Sequence, residues 1–386
     1  MQRRQTVMPP FEGRKVNKGV KELKKKIFSI LFTLVLVLSF SLVTAAPAAA
    51  IGTIQAAIDA ASPGDTIIVA DGIYAEAITI GKANLTLQSE SPEGAIIRPT
   101  TMSHWSGAVI YISADGVTVD GFEIDGTTVA KNGILGWETS GLTIKNNKIH
   151  GAVYDWDGCG ILLFSWGNSG TVYNNLIQDN EVYDTGRMGI MVMDYGPNIY
   201  TVTSSNVITG NTVHDVWKVA WGDGGGGIQI NVGKDCSITN NEVYDVRNGQ
   251  RGIYMFGSAA GNTITGNTLR DNAIGIQLWI SGEQPTPYIN WGGETPTSPQ
   301  VHYNNIYDNS SYGAISTNIQ GTPMVMDATN NWWGHASGPS GEFGRVNKAG
   351  KVIGKGDAVS ANVDWDPWLP QPVGHTKHNP VPPGLR

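Results

Sequence analysis

Between residues 130 and 320 no segment carries the apolar spacing of a helix of ordinary length, which excludes an alternating βα fold. Cysteine is almost absent: Cys159 and Cys236 are alone in 386 residues. Cys159 precedes a glycine-led phrase and Cys236 an asparagine-led one. They therefore belong on different sides of different units, and no bridge between them is expected even in an oxidising compartment. Long apolar runs are also scarce. One spans residues 27–43, after Lys24, Lys25 and Lys26 and before TAAPAAA. It has the form of a secretory signal peptide occupying residues 1–50, cleaved near residues 48–50, with a retained membrane anchor as the alternative. A secreted or periplasmic protein is expected, free of the membrane once the leader is cut. Outside that leader, positive charge is in short supply. The leader takes nine of the 26 Lys and Arg but only Glu12 and Glu22 of the 33 acids, leaving 17 basic against 31 acidic residues. Such a surface repels nucleic acid and other polyanions, and suits neutral or cationic ligands or bound Ca²⁺.

What is present is a repeat. The phrases LTIKNNKIHG, NLIQDNEVYD, NVITGNTVHD, CSITNNEVYD, NTITGNTLRD and VHYNNIYD align Asn147, Asn180, Asn211, Asn241, Asn267 and Asn304 at one position. Gly121 and Asn330 extend the series at either end, with spacings of 26 to 37 residues. Between these phrases lies a second one, glycine followed by hydrophobic alternation, led by Gly133, Gly160, Gly189, Gly227, Gly252, Gly275 and Gly313. Short period-2 runs separated by Gly, Asn and Asp are strands joined by tight turns. Two or three strands per repeat, stacked on the next repeat, predict an all-β solenoid: a single-stranded parallel β-helix. The asparagine column is a turn device, each amide bonding backbone or the next asparagine. So is the column Gly151, Asp184, Asp215, Asp245, Asp271 and Asp308. The column before it holds His150, Tyr183, His214, Tyr244, Arg270 and Tyr307.

The solenoid domain is expected over residues 51–370. Ile54, Ala57, Ile58 and Ala61 have helical spacing and predict an N-terminal cap over 51–65. Residues 327–370 break the repeat and predict a C-terminal cap, with Trp332, Trp333, Trp365 and Trp368 covering the last coil. The Pro-rich residues 371–386 read as a disordered tail.

These coil phrases, with the opening IQAAIDAASPGDTIIVADGIYAE, resemble the right-handed parallel β-helix proteins of the pectin-lyase-like superfamily. The resemblance covers roughly residues 52–369 and implies a right-handed coil. The superfamily includes polysaccharide lyases, glycoside hydrolases, epimerases, tailspikes and non-catalytic surface proteins, so the fold does not set the activity. The opening and repeats also resemble the periplasmic copper-binding accessory proteins of nitrous oxide reductase. His150 and His214 share a column but lie two coils apart, too far to share one ion.

Strand alternation gives the sharper functional signal. It points Trp137, Phe164, Met193, Phe256 and Trp279 outward in one line, with Asn231, Tyr254 and Gln277 on the same face. Sugars stack on such rings, and amides bond their hydroxyls. Loops beside this face carry Trp156 and Trp221, the acids Asp155, Asp157, Asp194 and Asp223, and Lys218, while Arg187 and Arg251 adjoin the glycine phrases. Two chemistries on an extracellular polysaccharide fit. In a hydrolase, Asp157 and Asp223 stand two coils apart, roughly 9–10 Å, as acid and base, with Asp194 between them. In a lyase, Ca²⁺ held by Asp155, Asp157 and Asp223 acidifies the proton beside a uronate carboxylate, and Lys218, Arg187 or Arg251 abstracts it or stabilises the enolate. The acidic surface weighs against a uronate polymer. A non-catalytic glycan-binding or structural protein is the alternative.

Overall fold

The structure, a computed structural model, describes residues 53–374 except 103, 128, 154–157, 168–169, 197–198, 217–224, 248–249, 280–288, 318–323 and 342–353. Three parallel sheets run along the domain, of eleven, nine and fourteen strands, here called A, B and C. The chain visits them in turn. One coil, for example, is Thr143–Lys145 in sheet A, Lys148–His150 in sheet B and Cys159–Trp166 in sheet C. Each strand pairs in register with its equivalent one coil on, so identical positions stack. Ile144, Ile177, Ile208, Ile238, Ile264 and Val301 make one aliphatic column in sheet A. Ile149, Val182, Val213, Val243, Leu269 and Ile306 make another in sheet B. Ile134, Ile161, Ile190, Ile228, Ile253 and Ile276 make the third in sheet C. All eighteen are buried, and these inward columns are the core. β-Branched residues suit it because their stiff side chains pack evenly at the repeat of a strand ladder.

The asparagine column is a continuous hydrogen-bonded ladder. From Asn147 through Asn180, Asn211, Asn241, Asn267 and Asn304 to Asn331, each side-chain oxygen accepts from the backbone N–H and side-chain N–H of the asparagine one coil earlier, at 2.8–3.0 Å. The two ends assigned from sequence are each displaced by one residue. Asn331, not Asn330, continues the ladder, and at the other end Asn147 accepts from the backbone of Phe122, not of Gly121. Gly121 and Asn330 instead sit at the preceding turn position, where positive φ is required (82° and 57°). The aspartates of the turn column likewise hold φ of 50–58°. Both cysteines are buried, and no disulfide joins them.

The helix Ile54–Ala60 closes the first coil. Thr53 caps its N-terminus, and the Glu76 carboxylate accepts from the N–H groups of Ile54 and Gln55. Ile54 and Ile58 are buried, whereas Ala57, assigned by spacing to the same face, is exposed. Gln55 takes the half-buried place, exchanging hydrogen bonds with the backbone of Thr79. At the far end Trp333 and Trp365 are buried and Trp368 packs beside them.

Candidate functional site

Sheet C carries two outward columns. One runs Tyr111, Leu135, Leu162, Met191, Gln229, Tyr254, Gln277 and Ile315. In the other, Trp137 pairs with Phe164 and Phe164 with Met193, while further along Asn231 pairs with Phe256, Phe256 with Trp279 and Trp279 with Thr317. The face therefore has its own apolar clusters outside the coil, around Tyr111 with Leu135 and around Met188 with Met191.

The rings touch one another along the whole face. From Trp105 the path runs to Trp137 (4.8 Å between centroids), Phe164 (5.2 Å), Trp166 (6.0 Å), Tyr195 (5.1 Å), Tyr200 (4.9 Å), Phe256 (4.9 Å) and Trp279 (4.2 Å). Apart from the tilted Trp166–Tyr195 pair, these are the edge-to-face and stacked arrangements that aromatic pairs prefer. Trp105, Trp166, Tyr195 and Tyr200 were not singled out by the repeat. Trp166 has the parity of Phe164 two residues on, so alternation could have found it. Trp105 lies in a loop with no repeat phrase, and Tyr200 reaches the face through a hairpin.

The face is open at one end and covered at the other. Trp105 is 67% exposed, Trp166 57%, and Trp137 and Phe164 are half-buried. By contrast Tyr254, Gln277, Trp279 and Asn231, read from sequence as exterior, are buried, with Trp279 only 6% exposed, and Phe256 is half-buried. At this end a strand folds back. Met188–Gly196 overruns its coil and turns into Ile199–Thr201, which pairs antiparallel with it and parallel with Ile289–Asn290. This lays Tyr200 against Phe256 and Ile289 beside Gly257.

Asp194 does not reach the face. Its parity is that of Ile190 and Val192, so it points inward and is fully buried. It accepts from Ser165 Oγ (2.8 Å), Thr201 Oγ1 (2.6 Å), Gly170 N (2.8 Å) and Thr171 N (3.0 Å). With four donors on two oxygens it anchors the hairpin and the turn after Trp166, and its carboxylate is turned away from the outer face beside which the sequence placed it. Asp155, Asp157, Asp223, Lys218, Trp156 and Trp221 lie outside the described residues.

The covered end holds the polar and cationic groups. Arg251 Nε donates to Gln277 Oε1, Arg251 Nη1 to Gln250 Oε1 (2.9 Å), and Gln277 Nε2 to Thr317 Oγ1 (2.7 Å). The guanidinium lies 5.0 Å from the Tyr254 ring. Burial pushes the Tyr254 hydroxyl up to about 12, against the opposing pull of Arg251 and Arg187. Tyr254 is thus a neutral proton donor at ordinary pH, within the field of both arginines.

On sheet B, Glu123, Asp125 and His150 form a group with metal-type spacing. Arg98 already occupies it, with Nε 2.6 Å from Asp125 Oδ2, while Thr127 donates twice to Asp125 Oδ1. Burial raises the Asp125 pKa, but these bonds outweigh it and hold the carboxyl below the ordinary range. His150 and His214 are separated by the Tyr183 ring, stacked 4.9 and 5.1 Å from each, so they form no shared copper site.

The family model described as a right handed beta helix region matches residues 87–218 and 197–286, together more than half of the chain. No curated protein matches the chain in sequence. Among solved structures, the complex of XylC with xylose is similar over 80% of this chain and 66% of its own, at 12% identity and a TM-score of 0.53. The alginate lyase from Paenibacillus sp. strain FPU-7 matches over 81% of this chain and 96% of its own, at 15% identity and a TM-score of 0.40. DFA-IIIase from Arthrobacter chlorophenolicus A6 matches over 84% and 91%, at 14% and 0.42. At these identities the likeness is one of fold.

Proposed function

Since the chain belongs to the right-handed β-helix family, we propose that it is a secreted protein that binds and cleaves an extracellular polysaccharide along the outer face of sheet C. The observation that carries this reading is the unbroken ribbon of rings from Trp105 to Trp279, open at the Trp105–Trp166 end. Pyranose rings present apolar C–H faces that stack on aromatic side chains, and an open apolar stripe of this kind marks a binding surface. That a solved β-helix, XylC, holds xylose accords with this.

For the chemistry, elimination fits the described groups better than hydrolysis. Asp194, the one of the four candidate acids among the described residues, lies in a strand and is committed inside the coil. Arg187 and Arg251 flank Tyr254 and suit a carboxylate-bearing sugar whose developing enolate they would neutralise. Tyr254 would donate its proton to the departing glycosidic oxygen, and a separate base, for which Lys218 is the candidate, would take the proton beside the carboxylate. Ca²⁺ on Asp155, Asp157 and Asp223 would serve the same neutralisation.

The test is a panel of alginate, polygalacturonate and xylan incubated with the protein, with and without Ca²⁺, and read by product mass spectrometry. Unsaturated products lacking one water relative to hydrolysis are expected. Hydrated products would replace elimination with hydrolysis. Retention on a polymer without products would leave a glycan-binding protein, and neither products nor retention would overturn the reading.

A further inference from the structure

The outward column Met191, Gln229, Tyr254, Gln277 holds two glutamines that are not equivalent. Both ends of the Gln277 amide are paired, one with Arg251 and one with Thr317. Gln229 is paired at one end alone: its Nε2 donates to Asn231 Oδ1 at 2.6 Å, and its Oε1 is buried with no hydrogen-bond partner. Gln229 is only 4% exposed and Asn231 1%. Turning the Gln229 amide over would set its Oε1 against the Asn231 Oδ1, two acceptors, and leave its amino group unpaired, so one polar end stays unmatched in either orientation. A buried amide in this condition destabilises the ligand-free protein, and such groups in native structures call for an absent partner.

The fold does not require a polar residue here. The same column accepts Leu135, Leu162, Met191 and Ile315 on other coils. Gln229 is therefore a polar residue that packing could replace with an apolar one, held beside the Tyr254 ring, with Arg251 one coil on and its partner Gln277 two coils on. A group able both to donate and to accept, at the end of a ring-lined path, matches the amide in either orientation. A sugar hydroxyl is such a group.

We propose that Gln229 is a specificity-determining residue whose unpaired amide end bonds a hydroxyl of the bound sugar at the covered end of the sheet C face. This rests on the glycan reading above and adds to it the place where hydroxyl pattern is read. The ribbon of rings is tolerant, because any pyranose offers an apolar face. Gln229 with Asn231 behind it is directional, because a hydroxyl at the wrong carbon, or one that is substituted, leaves the amide unmatched.

Two measurements on the full chain test it. In the first, dissociation constants for whichever of alginate, polygalacturonate or xylan is retained are compared for the protein and for Gln229→Leu. A loss of affinity of about tenfold or more is expected, together with narrowed differences among the polymers. Unchanged affinity with unchanged preference would overturn the proposal while leaving the glycan reading intact. In the second, crystals soaked in xylose are examined at Gln229. A sugar hydroxyl within hydrogen-bond distance of the amide supports the proposal even if no polymer on the panel is retained. An ordered water there, bonded only to protein in both soaked and unsoaked crystals, overturns it, since the amide would then be satisfied structurally.

Discussion

Tyr254 shows how a single outward position acquires chemical character. Alternation alone places it on the exterior, but in the structure it is buried, and burial lifts its hydroxyl to about 12. The folded state thus holds the proton more tightly than the unfolded chain, whose tyrosines titrate near 10. The contribution of this group to stability is fully present below pH 10 and is lost as pH rises towards 12. Tyr254→Phe should flatten that alkaline loss in a pH series of denaturant melts, and an unchanged slope between pH 10 and 12 would contradict the assignment. Gly189 shows the opposite case, a position fixed by close approach. A Cβ there would lie 2.6 Å from the Gly227 carbonyl oxygen and 2.3 Å from Val213 Cγ1. The carbonyl belongs to the next coil's ladder and cannot withdraw without breaking it. Gly189→Ala is expected to destabilise by roughly 2–3 kcal/mol, the cost of overpacking a rigid site, measurable as a lowered denaturation midpoint.

Among elements, the ladders do most to define the coil. Sequence alignment finds one of them, through Asn147 to Asn304, because its residues recur at one place in a legible phrase. A shorter ladder escapes it. Asn272 accepts from the backbone of Val246, Asn309 accepts from Asn272, and Asp357 accepts from both the backbone and the side chain of Asn309. Asp357 lies outside the repeat phrases, so pattern alone does not connect it to Asn309, 48 residues earlier. It is also a carboxylate where the column otherwise uses amides. Burial raises its pKa, against the pull of the Asn309 hydrogen bonds. A raised carboxyl favours folding at acid pH, and that contribution is lost as pH rises through the folded pKa. Asp357→Asn keeps the accepting oxygen and removes the charge. It should stabilise the protein at neutral pH by on the order of 1 kcal/mol, with the gain vanishing in acid. Equal stability of the two proteins at all pH values would remove the burial argument.

At the scale of the whole molecule, the sheet C face divides into an open half and a covered half, and substitutions should separate accordingly. Trp166→Ala removes an exposed ring and is expected to weaken polysaccharide retention while leaving thermal stability within experimental error. Trp279→Ala removes a buried ring stacked on Phe256 and is expected to destabilise by about 3 kcal/mol. Retention assays paired with thermal melts on both variants would check this, and a reversed pattern would mean the ribbon is packing rather than a binding surface. The sequence by itself determined the solenoid, because period-2 alternation and a recurrent Asn-and-Gly phrase are local signals that stacking merely repeats. It also determined which residues share the outer columns, since parity in a strand is fixed by the backbone. Tertiary structure alone decided which of those residues stay open. The hairpin that lays Tyr200 against Phe256 arises from a strand overrunning its coil, and it meets its partner Ile289–Asn290 nearly ninety residues later in the chain. Asp194, a candidate acid by sequence, is held as an anchor by Ser165, Gly170, Thr171 and Thr201, because pleat direction gives a side chain its side of the sheet while only tertiary contacts determine what meets it there.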